Sequence, residues 1–237
     1  MSGLSSKEPI KVLHVRSTIG MYGAEQVLLN IIPAMGASCF VSLLTLEIDT
    51  PESNSLSSLL AVYGVKRYKF IPTGRFDQTT IKKIKKLIEL ENFDVIHSHD
   101  YKSLFYIYKI AKSLNVSVVH HVHGALGNTF QEKIYGFIEH WLMRGVTKII
   151  TVSNEQKLNL ENGFYCYPSI LQVNNGTVIK DLQFNKTNTD CLRIVMVARL
   201  TEEKNHLMAI NLIEVLKSRG INVSLTLLGD GPLKEIL

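Results

Sequence analysis

Short apolar, β-branched runs recur along the chain: "IKVLHV", "CFVSLLTL", "VKRYKFI", "FDVIHS", "VSVVHHVH", "KIITVS", "LRIVMVA" and "VSLTLLG". Several are nearly unbroken in apolar residues, which suits strands buried on both faces of a parallel sheet rather than half-solvated strands of an antiparallel one. Stretches of helical periodicity separate them. In "TTIKKIKKLIELENF", Ile81, Ile84, Leu87 and Ile88 form one stripe and Lys82, Lys83, Lys85 and Lys86 the opposite face. In "TVSNEQKLNLENG", Ser153 is positioned to cap a helix with Gln156 reaching back, and Gly163 to end it in a left-handed turn. The alternation predicts an α/β fold, a Rossmann-like doubly wound parallel sheet with helices on both faces.

The polar, patternless "NKTNTD" divides this pattern. We expect one Rossmann-like domain over residues 1–184, a linker over 185–190, and the first βαβ unit of a second Rossmann-like domain over 191–237. Two strands and one complete helix cannot by themselves bury enough apolar surface to offset the entropy of ordering them. The second piece therefore reads as incomplete, the front of a longer two-domain protein.

Composition narrows the class. Apolar residues at 46% and charged residues at 20% describe a globular chain with a sizeable core. Three cysteines, Cys39, Cys166 and Cys191, have no CxxC spacing and suggest neither a disulfide framework nor a zinc knuckle. The N-terminus lacks the apolar core of a signal peptide, and no apolar run is long enough to span a bilayer, so a cytoplasmic location is expected. The net charge of +5 comes without the interleaved aromatics or docking motifs of nucleic-acid readers, and no nucleic-acid partner is expected. The lysine-rich helix leaves two readings open, a solvated face or peripheral contact with an anionic membrane surface.

Sheets of this kind bind ligands beyond the carboxyl ends of their strands. There the first strand runs into "RSTIGMYGAEQVLLNII", where Gly20 and Gly23 bracket a turn and Glu25 begins a helix. Glycines allow close backbone approach, and free N–H groups at a helix start favour an anion. The spacing is not GxGxxG, and Glu47 and Asp49 lack the context of a ribose-binding acid, which weighs against a dinucleotide enzyme. Five of the eight histidines, His97, His99, His120, His121 and His123, fall at the ends of two successive strands. Topology alone can bring them together. His14, mid-strand, and His140, mid-helix, read as structural. "HSHD" at 97–100 also resembles the HxH openings of metal-dependent hydrolases, in which imidazoles and a carboxylate such as Asp100 would hold ions. In the second piece Arg199 ends a strand and Lys204 begins the next helical segment, a fork and an ammonium suited to a diphosphate. The "LLGDGP" turn that follows would let another loop or a nucleotide come close.

Taken together, "GMYGAE", "DVIHSHD", "HVHG", "ITVSN", "NNG", "ARLTEEKN" and "GDGP" resemble, in order and spacing, the retaining glycosyltransferases of the GT-B fold, family four. The resemblance implies transfer of a sugar from a nucleotide-diphosphate donor to an acceptor hydroxyl with retention, in glycan or cell-surface polysaccharide synthesis, with no metal or other cofactor. It implies Arg199 and Lys204 on the donor diphosphate, Gly20 and Gly23 in the donor-side loop, and His123 as the active-site histidine. It also implies Glu25 as a loop-organising or acceptor-facing residue, with His99 and Asp100 as further candidates for that role. Partners would be a nucleotide sugar and a glycan or lipid-linked acceptor. Two departures stand out. "NNG" continues as "TVIKD", and the paired glutamates that grip the donor are not found up to Leu237. The 237-residue chain is accordingly expected to be inactive alone. A non-catalytic binding fragment and a His/Asp metal-dependent hydrolase remain the alternative readings.

Overall fold

A computed structural model of the chain describes residues 9–18, 20–36, 39–47, 55–74, 77–123, 130–178 and 190–237. The chain divides into two compact units, Met1–Ile179 and Lys180–Leu237. The linker expected at 185–190 lies, except for Asp190, outside the described residues.

Among the described residues the first unit is a parallel sheet of seven strands. β1 (Ile10–Thr18), β2 (Cys39–Glu47), β3 (Lys66–Phe70), β4 (Val95–Ser98), β5 (Ser117–Val122), β6 (Lys148–Thr151) and β7 (Ser169–Gln172) lie in the order 3-2-1-4-5-6-7. Winding proceeds outward from β1 in one direction and then restarts at β4 in the other. The gap between β1 and β4 is therefore the topological switch point, where the flanking connections diverge and leave a crevice. The helices between strands are α1 (Gly23–Met35), α2 (Ser55–Ala61), α3 (Gln78–Glu91), α4 (Tyr101–Leu114), α5 (Phe130–Met143) and α6 (Asn154–Glu161). β7 was not foreseen. Its only apolar residues are Ile170 and Leu171, and as an edge strand it is largely solvent-exposed, so it carries neither a continuous nor an alternating signal.

Strand alternation sorts the core into two layers. Leu13 and Val15 of β1 join Ile96, Val118, Ile149 and the inner faces of α3 and α4 in one large cluster. Leu43 of β2 packs on the opposite face with Leu28, Ile32, Leu56 and Leu60 of α1 and α2. In α3 the foreseen stripe is buried at Ile84, Leu87 and Ile88, and all four lysines are exposed. Asp77 caps that helix, accepting from Thr79 N at 2.9 Å and Thr80 N at 3.3 Å. Left-handed C-caps are supplied by Asn92 and Asn115. Gly163 is not one of them, contrary to expectation. α6 ends through Asn162 in right-handed conformation, with Gly163 N bonded to Leu160 O in a tightened last turn. Ser153 caps α6 as expected, whereas the Gln156 side chain accepts from Val152 N rather than from Ser153 N.

The second unit holds β8 (Leu192–Val197), a 3-10 turn at Glu202–Lys204, α7 (His206–Ser218) and β9 (Val223–Leu228), with β8 and β9 parallel. Among its apolar residues Val195, Val197, Leu207, Met208, Leu212 and Val215 are exposed, so this βαβ unit encloses little core. The "GDGP" turn brings a loop close, as foreseen. The loop is Ala198–Leu200, with Leu200 N bonded to Asp230 O at 2.9 Å. A Cβ on Gly229 would lie 1.9 Å from Ala198 O, a backbone atom with no freedom to withdraw. Gly229→Ala is expected to destabilise this unit by about 1–3 kcal/mol. Hydrogen exchange should show faster exchange in β8 and β9 and unchanged protection in β1–β6.

Candidate functional site at the switch point

The carboxyl ends of β1, β4 and β5 carry most of the chain's histidines. Parallel register sets His14 of β1 beside His97 of β4. Because alternate residues face one side, His14, His97 and His121 project together, and His99 and His123 continue the rows beyond the strand ends. Five rings result in one connected array, with centroid separations from 4.2 Å (His121–His123) to 5.5 Å (His97–His121). His14 Nδ1 lies 2.8 Å from His99 Nε2, and His99 Nδ1 lies 3.0 Å from His123 Nε2. His120, one residue out of phase, points to the other face, where it meets Ser98 Oγ at 2.7 Å and Glu139 of α5 at 3.2 Å.

This array is buried and almost without external partners. His14, His97, His99 and His121 are buried, and His123 is half-buried. His14 Nε2, His97 Nε2 and both ring nitrogens of His121 have no hydrogen-bond partner among the described residues. Burial first, and then the neighbouring imidazoles, oppose protonation. His14 is lowered to about 3 and His121 to about 4, while His97 and His99 lie well below the ordinary histidine value. His123 is lowered to about 3 by burial, then by His121, Arg16 and His120. At neutral pH the array consists of neutral rings.

Beside it, the turn after β1 is held by a buried ion pair. Glu25 is fully buried, and its carboxylate takes Arg16 Nε at 2.7 Å and Tyr22 N at 3.0 Å. The second bond is the backbone half of a capping box, closing the start of α1. Arg16 also donates to His99 O at 2.9 Å and lies 3.6 Å from Asp100 Oδ2. Asp100 caps α4, accepting from Ser103 N at 2.9 Å, and takes Ser17 N at 2.8 Å. Its oxygens are thus engaged by backbone N–H groups and by Arg16, which leaves the imidazole–carboxylate metal set of a hydrolase without its carboxylate. Gly20 is buried in the turn, its N–H and C=O both bonded to Thr18 Oγ1. A Cβ on Gly23 would meet nothing within 4 Å, so packing does not explain that glycine. Glu47, at the end of β2, is buried with Lys69 Nζ 2.7 Å away and is not an open ribose acceptor.

In the second unit Arg199 NH2 and Lys204 Nζ converge on one carboxylate oxygen, Glu203 Oε1, at 2.6 Å and 3.6 Å. Both cations are about half exposed, and together they form a surface able to receive an anion.

Sequence reasoning missed three participants. His14, which its mid-strand place marks as structural, is buried in the array because the β1–β4 register sets it against His97. Arg16 is a charged residue near the carboxyl end of β1, the end at which sheets of this kind bind ligands. Glu139 could be found only from the packing of α5. His140, mid-helix in α5, bonds the Tyr167 hydroxyl.

Similarity to known proteins accords with this geometry. No curated protein matches the chain. In solved structures the fold recurs in Anabaena Alr3699/HepE in complex with UDP and glucose, 15% identical, TM-score 0.74, over 96% of this chain and 63% of that one. It recurs in a glycosyltransferase from Rickettsia africae, 17% identical, TM-score 0.73, over 97% and 62%. The lipopolysaccharide outer core galactosyltransferase WaaB matches at 13% identity and TM-score 0.63, over 96% and 63%. The chain thus spans less than two thirds of the length of these relatives. Residues 21–176, which carry α1, the β4 and β5 ends and their histidines, match the family described as Glycosyltransferase Family 4, and the chain belongs to that family.

Proposed function

We propose that this chain is the acceptor-side domain and the first part of the donor domain of a retaining glycosyltransferase. It would move a sugar from a nucleoside diphosphate to a hydroxyl of a glycan or lipid-linked acceptor. The observation that carries the reading is the switch point of the sheet, where β1 leads into the glycine turn and β5 ends at the half-buried His123, in a chain of this family. His123 would hydrogen-bond the reacting sugar. Glu25 and Arg16 would hold the Gly20–Gly23 turn, and His99 and Asp100 would order the adjoining strand end. Gly23, unconstrained by packing, would leave room for the ligand. Arg199 and Lys204 would hold the diphosphate, stabilising charge that grows as the leaving group departs; such interactions act more strongly in the transition state than in the ground state. Two cations supply that stabilisation without requiring a metal. The UDP and glucose bound to HepE favour a uridine diphosphate sugar as donor. A cytoplasmic site of action, with the exposed α3 lysines near an anionic membrane face, fits a lipid-linked acceptor. Among the described residues no helix is long and apolar enough to cross a membrane.

Ligand titration of the chain and its variants tests this. Nuclear magnetic resonance titration of the chain with UDP-glucose should perturb residues 198–206. In Arg199→Ala/Lys204→Ala the affinity should fall about tenfold or more, equivalent to at least about 1.4 kcal/mol. Glu203→Gln, which frees both cations, should strengthen binding. Gly23→Ala should leave folding intact, since alanine is the better helix former, while weakening ligand contacts at the turn. No turnover is expected from the 237-residue chain. Shifts scattered away from both the turn and the Arg199–Lys204 segment would remove the support for a donor site here.

A further inference from the structure

The histidine array contains more than the single imidazole that sugar transfer would use. Four of its five rings are buried, and three of these, His14, His97 and His121, carry ring nitrogens without a hydrogen-bond partner among the described residues. We propose that His99, His121 and His123 form a binding site for a borderline-soft divalent cation of the zinc, cobalt or copper type.

The ligand atoms of these three residues all lie within 4.8 Å of one another. His99 Nδ1 and His123 Nε2 are already 3.0 Å apart. Two nitrogens bound to zinc at 2.0–2.1 Å in tetrahedral geometry stand about 3.3 Å apart, so the pair need open by only a few tenths of an ångström. The proton now shared between these nitrogens moves to His123 Nδ1, a change of tautomer that leaves both facing lone pairs for the metal and releases no net proton. His121, whose ring nitrogens have no partner, turns in as the third ligand. His14 Nδ1, 2.8 Å from His99 Nε2, accepts that ring's remaining N–H and fixes its orientation, the arrangement that metal-bound histidines usually have.

A second trio, His14, His97 and His99, is also close enough, but all three of its rings are buried. The His99–His121–His123 trio includes the half-buried His123 and so offers an ion a way in and a coordination position open to water. Imidazole nitrogens without carboxylate or carbonyl oxygens select zinc, cobalt, nickel or copper over magnesium and calcium. Charge does not forbid a cation here, because the neighbouring Arg16 is balanced by two carboxylates, Glu25 and Asp100. The bound ion would occupy the nitrogen of His123 that faces His99. That nitrogen already faces His99 in the metal-free chain, and the site stands whether or not the transfer reading holds.

The test is titration of the chelator-stripped chain with Co2+, followed by visible absorption. One ion per chain, the intense bands of a tetrahedral site and displacement by Zn2+ are expected, with no competition from millimolar Mg2+. His121→Phe and His123→Ala should each weaken binding about 100-fold or more, the loss of a ligand exceeding that of an outer-shell partner. In the unaltered chain, Zn2+ should shift the side-chain nitrogen resonances of His99, His121 and His123. Shifts confined to His140 or His206, absence of one-to-one uptake, or unchanged affinity in folded variants would overturn the assignment. The nitrogen resonances decide the matter even if both variants fail to fold.

Discussion

In the presence of a chelator, the first unit is expected to lose most of its stability between pH 7.5 and pH 5. His14, His97, His99, His121 and His123 have folded-state pKa values lowered below the ordinary 6.5, so the unfolded chain binds more protons as soon as pH falls below that value. The stability that depends on keeping these rings neutral is fully present above about pH 6.5 and drains away as pH falls toward the folded values near 3–4. Each ring that stays neutral at pH 5 costs roughly 2 kcal/mol there, from a free-histidine value of about 6.5. Several such rings together amount to a large share of the stability of a domain, which is about 5–15 kcal/mol. Urea unfolding at pH 7.5, 6 and 5 would measure this directly. A midpoint that stays constant across that range would show that the rings are charged or solvated in the folded protein. Repeating the series with zinc should delay the loss, since a bound ion stabilises the folded state by mass action.

Arg16→Ala should be the most damaging single change near the glycine turn, at about 3–5 kcal/mol. Removing the guanidinium leaves the fully buried Glu25 carboxylate with only the Tyr22 N–H, and an unpaired buried charge is costly. The same change deprives His99 O of its donor and Asp100 of its nearby cation. Pairing Arg16→Met with Glu25→Leu should recover much of the loss, because burying two apolar side chains is less costly than stranding one charge. Equal destabilisation of the single and double variants in urea titration would show that the turn depends on the shape of these residues rather than on their charge. The half-buried location of Arg16 places the expected value toward the lower end of the range.

The two effects differ in how far they could be anticipated. Clustering of His97, His99, His120, His121 and His123 was legible because successive parallel strands deliver their ends to one edge, and the apolar runs identified those strands. Membership of the array was not. Counting along β5 puts His120 and His121 together, but the pleat separates them onto opposite faces, one toward Ser98 and Glu139 and the other toward His97. His14 joins because β4 pairs directly with β1, a neighbour relation between residues more than eighty apart that local periodicity does not contain. The misread end of α6 has a similar origin. A glycine permits a left-handed cap, but the bonds from Asn162 and Gly163 back to the last turn closed the helix right-handed instead.

From the sequence alone follow the alternation of strands and helices, the parallel sheet, the expectation of a linker at 185–190, and the sheet edge at which a site is to be sought. These depend on periodicity, turn chemistry and composition, which act over a few residues at a time. Tertiary structure alone decided that strand order 3-2-1-4 sets β1 against β4, that Arg16 balances Glu25, and that five imidazoles pack into one array. Those outcomes depend on which distant strands share hydrogen bonds and on the register in which they do so. A shift of one residue would send every one of these side chains to the other face.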